Sequence, residues 1–110
     1  MSTFFQSLFR LPSTKKDGSG FDSTTINLVW QKASVDWKYD PDLYRRDVCG
    51  ALISKNDYGD RRSVFGWEVD HIDPVSKGGP DLLFNLQPLH WQNNIAKGDG
   101  PNSHFCKITS

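Results

Sequence analysis

Apolar residues in this chain recur at two different spacings, and each change of spacing marks a new element. In "FDSTTINLVWQKAS", Ile26, Val29, Trp30 and Ala33 fall three or four apart, the repeat of one helix face. Asp22 or Ser23 can cap that helix, with Gln31 and Lys32 on its outer side. "CGALIS" is a short apolar run and predicts a strand. "VFGWEVDHI" predicts another, with Trp67 and Val69 on one face and Glu68 and Asp70 on the other. Two prolines and Gly78–Gly79 make "DPVSKGGPD" a compact loop. "LLFNLQPL" predicts a second strand with Asn85 at its centre. "PLHWQNNIAKG" predicts a helix with Pro88 at its start, Lys97 near its end and Gly98 as the stop. On that helix His90, Asn94 and Lys97 share a face, while Trp91 and Ile95 should anchor the adjoining face in the core.

"DWKYDPDLYRRD" and "KNDYGDRRS" read as turn-rich connections carrying Arg45–Arg46 and Arg61–Arg62. Residues 1–20, ending in "STKKDGSG", read as a flexible N-terminal segment, partly disordered or lying on the domain. The tail "GPNSHFCKITS" predicts no element. The result is one α+β domain over residues 21–110: a helix and a short strand, then strand, glycine-rich loop, strand and helix.

A chain of 110 residues suits a single core. Lys plus Arg equals Asp plus Glu at 13 each, which argues against a simple nucleic-acid glue but leaves room for a local basic patch. No apolar run approaches membrane-spanning length, so no membrane partner is expected. "MSTFFQSLFRLPS" lacks the long apolar stretch of a secretory signal, so the expectation is cytoplasmic. Cys49 and Cys106 are far apart with no CxxC, and two reduced thiols are expected; a disulfide would require the termini to fold back.

The polar residues of the 66–100 stretch offer chemistry. Asp70 supplies a hard oxygen of the kind Mg²⁺ or Mn²⁺ prefers. Histidine, here His71, is the side chain that ordinarily exchanges a proton near neutral pH. Strand neighbours point to opposite faces, so these two can serve one site only if the strand ends or twists there, and Asp73–Pro74 makes an ending plausible. The amide oxygen of Asn94 can be a second ligand; its nitrogen cannot. Asn85 can donate to carbonyls of the glycine-rich loop and accept from its N–H groups, bracing the loop after His71.

The run "VDHIDPVSKGGPDLLFNLQPL" followed by "NN" and "KG" resembles the HNH endonucleases. Asp70–His71, Gly78–Gly79, Asn85–Leu86 and Lys97–Gly98 carry the resemblance, closely over about 35 residues. It implies a ββα-metal (His-Me finger) core at about residues 66–98. It also implies DNA as substrate, His71 as general base, Asn85 as the middle residue of the signature, and one divalent cation on Asp70 and Asn94. Asn94 stands where the family usually has His, an HNN form that tilts the ion toward Mg²⁺ or Mn²⁺ and away from softer metals. Many relatives hold a structural zinc in two CxxC knuckles. Here Leu52, His90 and Asn93 stand at three of those four positions, so zinc is not expected, and Leu52, Trp91 and the first helix should fill the space with apolar contacts. His90 has two readings: pointing into the site against phosphate, or packing with its ring on a backbone carbonyl.

Lys77 and Lys97, nearest the site, are expected phosphate contacts, with Arg45, Arg46, Arg61 and Arg62 as further candidates or as solvated loop charges. Glu68 is expected to pair with one of those arginines. Three functions compete: a nuclease, an adaptor on the same scaffold with cleavage lost, and a nuclease effector of a defence or competition system gated by an immunity protein or other partner. His71 separates the first two, because a binder needs no base.

Overall fold

The structure, a computed structural model, describes residues 10–100 and 104–110. Asp22 caps the first helix, α1 (Ser23–Trp30), by accepting the Thr25 N–H at 2.7 Å. Val29, Trp30 and Ala33 are buried and Ile26 packs beside them, which is the face the spacing predicts. A two-stranded antiparallel ribbon follows, β1 (Tyr44–Arg46) and β2 (Leu52–Ser54), with Arg45 opposite Ile53. The first of these strands replaces an expected loop. Three residues, two of them arginine, give no apolar alternation to read.

The second antiparallel pair is β3 (Trp67–His71) and β4 (Leu86–His90), followed directly by α2 (Trp91–Lys97). Pro88 lies inside β4, opposite Val69, and does not start the helix. The Val69 N–H points away from β4, to Ser13 Oγ at 2.9 Å, so this pair exchanges no ladder hydrogen bond and the missing proline N–H is harmless. His90 takes over as the cap of α2, its Nδ1 accepting the Gln92 N–H at 3.0 Å. Asn85 also shifts: Leu83–Asn85 is a 3₁₀ turn, so Asn85 stands just before β4, not at a strand centre.

β3 separates two unlike environments. Trp67 and Val69 face a core built with Val29, Trp30, Ile53 and Leu86. The Trp30 and Trp67 rings lie 5.3 Å apart, and Tyr58 meets Trp67 edge-on at 4.9 Å. Each such side chain contributes about 1.5–3 kcal/mol by leaving water. Glu68 and Asp70 face α2, and there the contacts are polar. Ile95 is 56% exposed and Trp91 only half-buried, so they do not anchor the helix as expected. Its buried residues are Asn93 and Lys97.

Asn93 and Asp47 tie the two halves together. Asp47 Oδ1 accepts the Cys49 and Ala51 N–H groups, while Oδ2 accepts the His90 N–H at 2.9 Å and Asn93 Nδ2 at 3.0 Å. Asn93 Oδ1 then accepts the Lys107 and Ile108 N–H groups of the returning tail. That return brings Cys106 to Cys49, and the two form a disulfide. The expected reduced thiols are thereby corrected: the tail folds back along α2. The expected apolar filling is corrected too, since a hydrogen-bonded cluster and a disulfide occupy that region.

Residues 10–20 lie against the domain where composition suggests a flexible segment. Ser13 Oγ meets Tyr58 Oη at 2.7 Å, and the Lys16 N–H reaches the Asp81 carboxylate at 3.1 and 3.2 Å. Residues 1–9 fall outside the described residues.

Candidate active site

The loop between β3 and β4 is shaped by glycine and by one amide. Gly78 has φ +87°, in the left-handed region. At Gly79 a Cβ would lie 1.7 Å from the Asp73 carbonyl oxygen, so only glycine fits. Asn85 is buried and bonds across the loop. Its Oδ1 accepts the Asp73 N–H at 2.8 Å, and its Nδ2 donates to the carbonyls of Asp73 at 3.1 Å and Pro80 at 2.9 Å. This is the bracing that the amide's donor and acceptor pair permits.

The braced loop delivers Asp81 to His71: Nε2 and Asp81 Oδ1 are 2.8 Å apart. A carboxylate accepts, so Nε2 carries the hydrogen of this contact. Sequence reading missed Asp81, although its place just after Gly-Gly-Pro put a carboxylate at the loop's exit.

Asp70 is 7% exposed. Its Oδ2 accepts Gln87 Nε2 at 2.9 Å, and Lys97 Nζ lies 3.2 Å from the same oxygen. Burial pushes the carboxyl above its ordinary 3.8, and the Gln87 hydrogen bond and the Lys97 charge work against that rise. Lys97 also donates to the His71 carbonyl at 2.9 Å, and its side chain is fully enclosed. It is therefore the internal counter-ion of Asp70, not the expected phosphate contact.

Asn94 approaches from α2. Its Nδ2 donates to Glu68 Oε1 at 2.8 Å. Glu68 is gripped by Arg61 through Nε at 2.7 Å and Nη2 at 2.9 Å, the arginine pairing expected of it.

Asp70, His71 and Asn94 line one cleft, with Arg10, Ser13 and Arg61 among its walls. His71 and Asp70 leave the strand on opposite faces, but the cleft lies across the strand's end, so both reach it. The cleft's volume is about 210 Å³. Asp70 and Asn94 bring a carboxylate and a carboxamide, hard oxygen donors of the kind a divalent cation takes, to one cleft. Positive charge there would also offset the burial that disfavours the ionised Asp70. Among the described residues no group of three or more His, Cys, Asp or Glu gathers to hold a metal. A zinc ion does not suit the knuckle positions, where Cys49 sulfur is bonded to Cys106 and Leu52 has no donor.

His90 stands apart from the cleft. It is 1% exposed, and its Nε2 lies 2.8 Å from the Val64 carbonyl, so the packing reading holds and the catalytic one does not. Arg45 donates to the carbonyls of Pro41 and Gln31, and Arg46 pairs with Asp36 and the Gly50 carbonyl, both on the β1 side of the fold. Arg62 and Lys77 are exposed. Arg10 and Ser13, at the cleft wall, come from the segment that composition marks as linker.

Residues 48–100 match the family model described as HNH endonuclease. Comparison of the chain with curated proteins and with solved structures finds no match.

Proposed function

Through residues 48–100 this chain belongs to the HNH endonucleases, and from that premise we propose that it is a metal-dependent endonuclease hydrolysing phosphodiester bonds in DNA. One observation supports the reading most: the carboxylate of Asp70, the imidazole of His71 and the carboxamide of Asn94 line the same cleft. Asp70 and Asn94 would hold one Mg²⁺ or Mn²⁺, which when bound supplies positive charge to the phosphate and its departing oxygen. His71 takes the proton of the attacking water at Nδ1, while Asp81 holds the ring by Nε2. Asn85 acts through the loop, keeping Asp81 in register with His71. Arg10 and Arg61 at the cleft wall, with the exposed Arg62 and Lys77, are the cations this reading sets against the DNA backbone, which carries no sequence code, so sequence preference should be low.

One variant of this reading has its own support. The Cys49–Cys106 bond is of the kind sustained in oxidising surroundings. It favours a nuclease effector that passes through such a compartment, kept in check by a partner protein, over a resident cytoplasmic enzyme. No helix among the described residues is long and apolar enough to cross a membrane.

The test is nicking of supercoiled plasmid. The wild type should cut with Mg²⁺ or Mn²⁺ and stop with EDTA. His71→Ala should fall by about 10²–10⁴-fold while still folding. Metal-dependent cutting that survives His71→Ala unchanged would remove the base from the account.

A further inference from the structure

Glu68 is 2% exposed, carries the chain's single glutamate carboxylate, and does not line the cleft; it sits behind two residues that do, Arg61 and Asn94. Its oxygens are engaged. Oε2 accepts Arg61 Nε at 2.7 Å, and Oε1 accepts Arg61 Nη2 at 2.9 Å and Asn94 Nδ2 at 2.8 Å.

We infer that Glu68 is a positioning residue that fixes which end of the Asn94 carboxamide faces the cleft. The inference rests on the metal reading of Asp70 and Asn94 given above. A carboxamide has two ends of nearly the same shape and opposite chemistry: an oxygen that can ligate a cation and an NH₂ that cannot. An ionised carboxylate can only accept, so it binds the NH₂ end and turns the oxygen toward the opening. The flipped amide would set its oxygen against Oε1, lone pair against lone pair. Arg61 completes the device. Its two bonds neutralise Glu68 and hold both oxygens, so Glu68 stays an orienting group and does not compete as a ligand.

A purely structural role, stapling the Arg61 loop to β3, predicts different behaviour under substitution. Aspartate at position 94 has an oxygen at each end and needs no orientation. Next to Glu68, however, it places two carboxylates in contact.

The experiment is Mn²⁺ binding to the full chain by titration calorimetry, with thermal unfolding of each variant measured beside it. Glu68→Ala should bind Mn²⁺ roughly 10–100-fold more weakly than wild type, the usual loss for removing the partner of a metal ligand. Glu68→Gln, which keeps the shape and can serve as the test should the alanine variant not fold, should weaken binding less. Asn94→Asp should restore most of the affinity when combined with either Glu68 variant, yet weaken binding when made alone. That reversal of sign is a coupling a staple would not produce. If Asn94→Ala weakens Mn²⁺ binding but the Glu68 variants do not, or if Asn94→Asp fails to rescue them, the orienting role is overturned and the metal assignment stands. Equal Mn²⁺ affinity in wild type and Asn94→Ala overturns the metal assignment and the inference together.

Discussion

Asn85 illustrates how much one side chain can specify. Its amide makes three hydrogen bonds across the loop, and Gly79 leaves the space in which those bonds form. Asn85→Ala orphans those loop groups and should cost about 1–3 kcal/mol, measured by urea unfolding. Cutting should fall as well, because Asp81 loses its register with His71. Wild-type stability in Asn85→Ala would show that the loop is held by something else. At this scale the sequence was most informative about groups whose chemistry is one-sided. Asp70, His71 and Asn94 could be named from residue type and spacing, and they meet at one cleft. Lys97 could not be read correctly. A lysine on a helix face looks like a phosphate contact until the carboxylate buried beneath it is known, and the partner, Asp70, is 27 residues away. His90 kept two readings for the same reason: its carbonyl partner, Val64, is 26 residues distant.

At the scale of elements, legibility followed apolar periodicity. α1, β2 and β3 have it, and the structure places them where the pattern does. β1 lacks it, being two arginines after a tyrosine, and is held by pairing to β2 and by a bridge from Ser34 to Arg46. The junction of β4 and α2 misled because Pro88 and Gly98 look like the two ends of a helix. Proline is equally at home at a non-hydrogen-bonded strand position, and the cap is His90. α2 itself is unusual in what it buries. Asn93 and Lys97 are inside and Ile95 is outside, so the helix docks by hydrogen bonds to Asp47, Asp70, His71 and Glu68. That docking serves the site, since it seats Asn94 directly across from β3. An amphipathic-helix reading assumes apolar docking and so inverts this helix.

For the whole molecule, the ribbon of β1 and β2 and the ββα unit share the core around Ile53, and the Asp47–Asn93 cluster and the Cys49–Cys106 bond tie in the returning tail. The bond closes a separation of 57 residues. Replacing both cysteines with serine should cost about 2–5 kcal/mol, visible as a lowered unfolding midpoint. Thiol titration of denatured wild-type protein recovered under non-reducing conditions should find no free thiol; two free thiols would remove the support for an oxidising compartment. Neither cysteine lines the cleft, so the double variant should retain Mn²⁺-dependent nicking at temperatures where it stays folded. Spacing alone could not predict the bond, because the tail that carries Cys106 has no periodic pattern and is positioned by Asn93.

The central claim is spatial: one hard cation shared by Asp70 and Asn94 beside the His71 ring. Its most direct test is the anomalous scattering of Mn²⁺ in crystals of the protein with an uncleavable DNA. The account predicts a single strong peak about 2.1 Å from an Asp70 carboxylate oxygen and from Asn94 Oδ1, with His71 on the far side of the phosphate. A peak bound instead through Glu68, or none within reach of both Asp70 and Asn94, would contradict it.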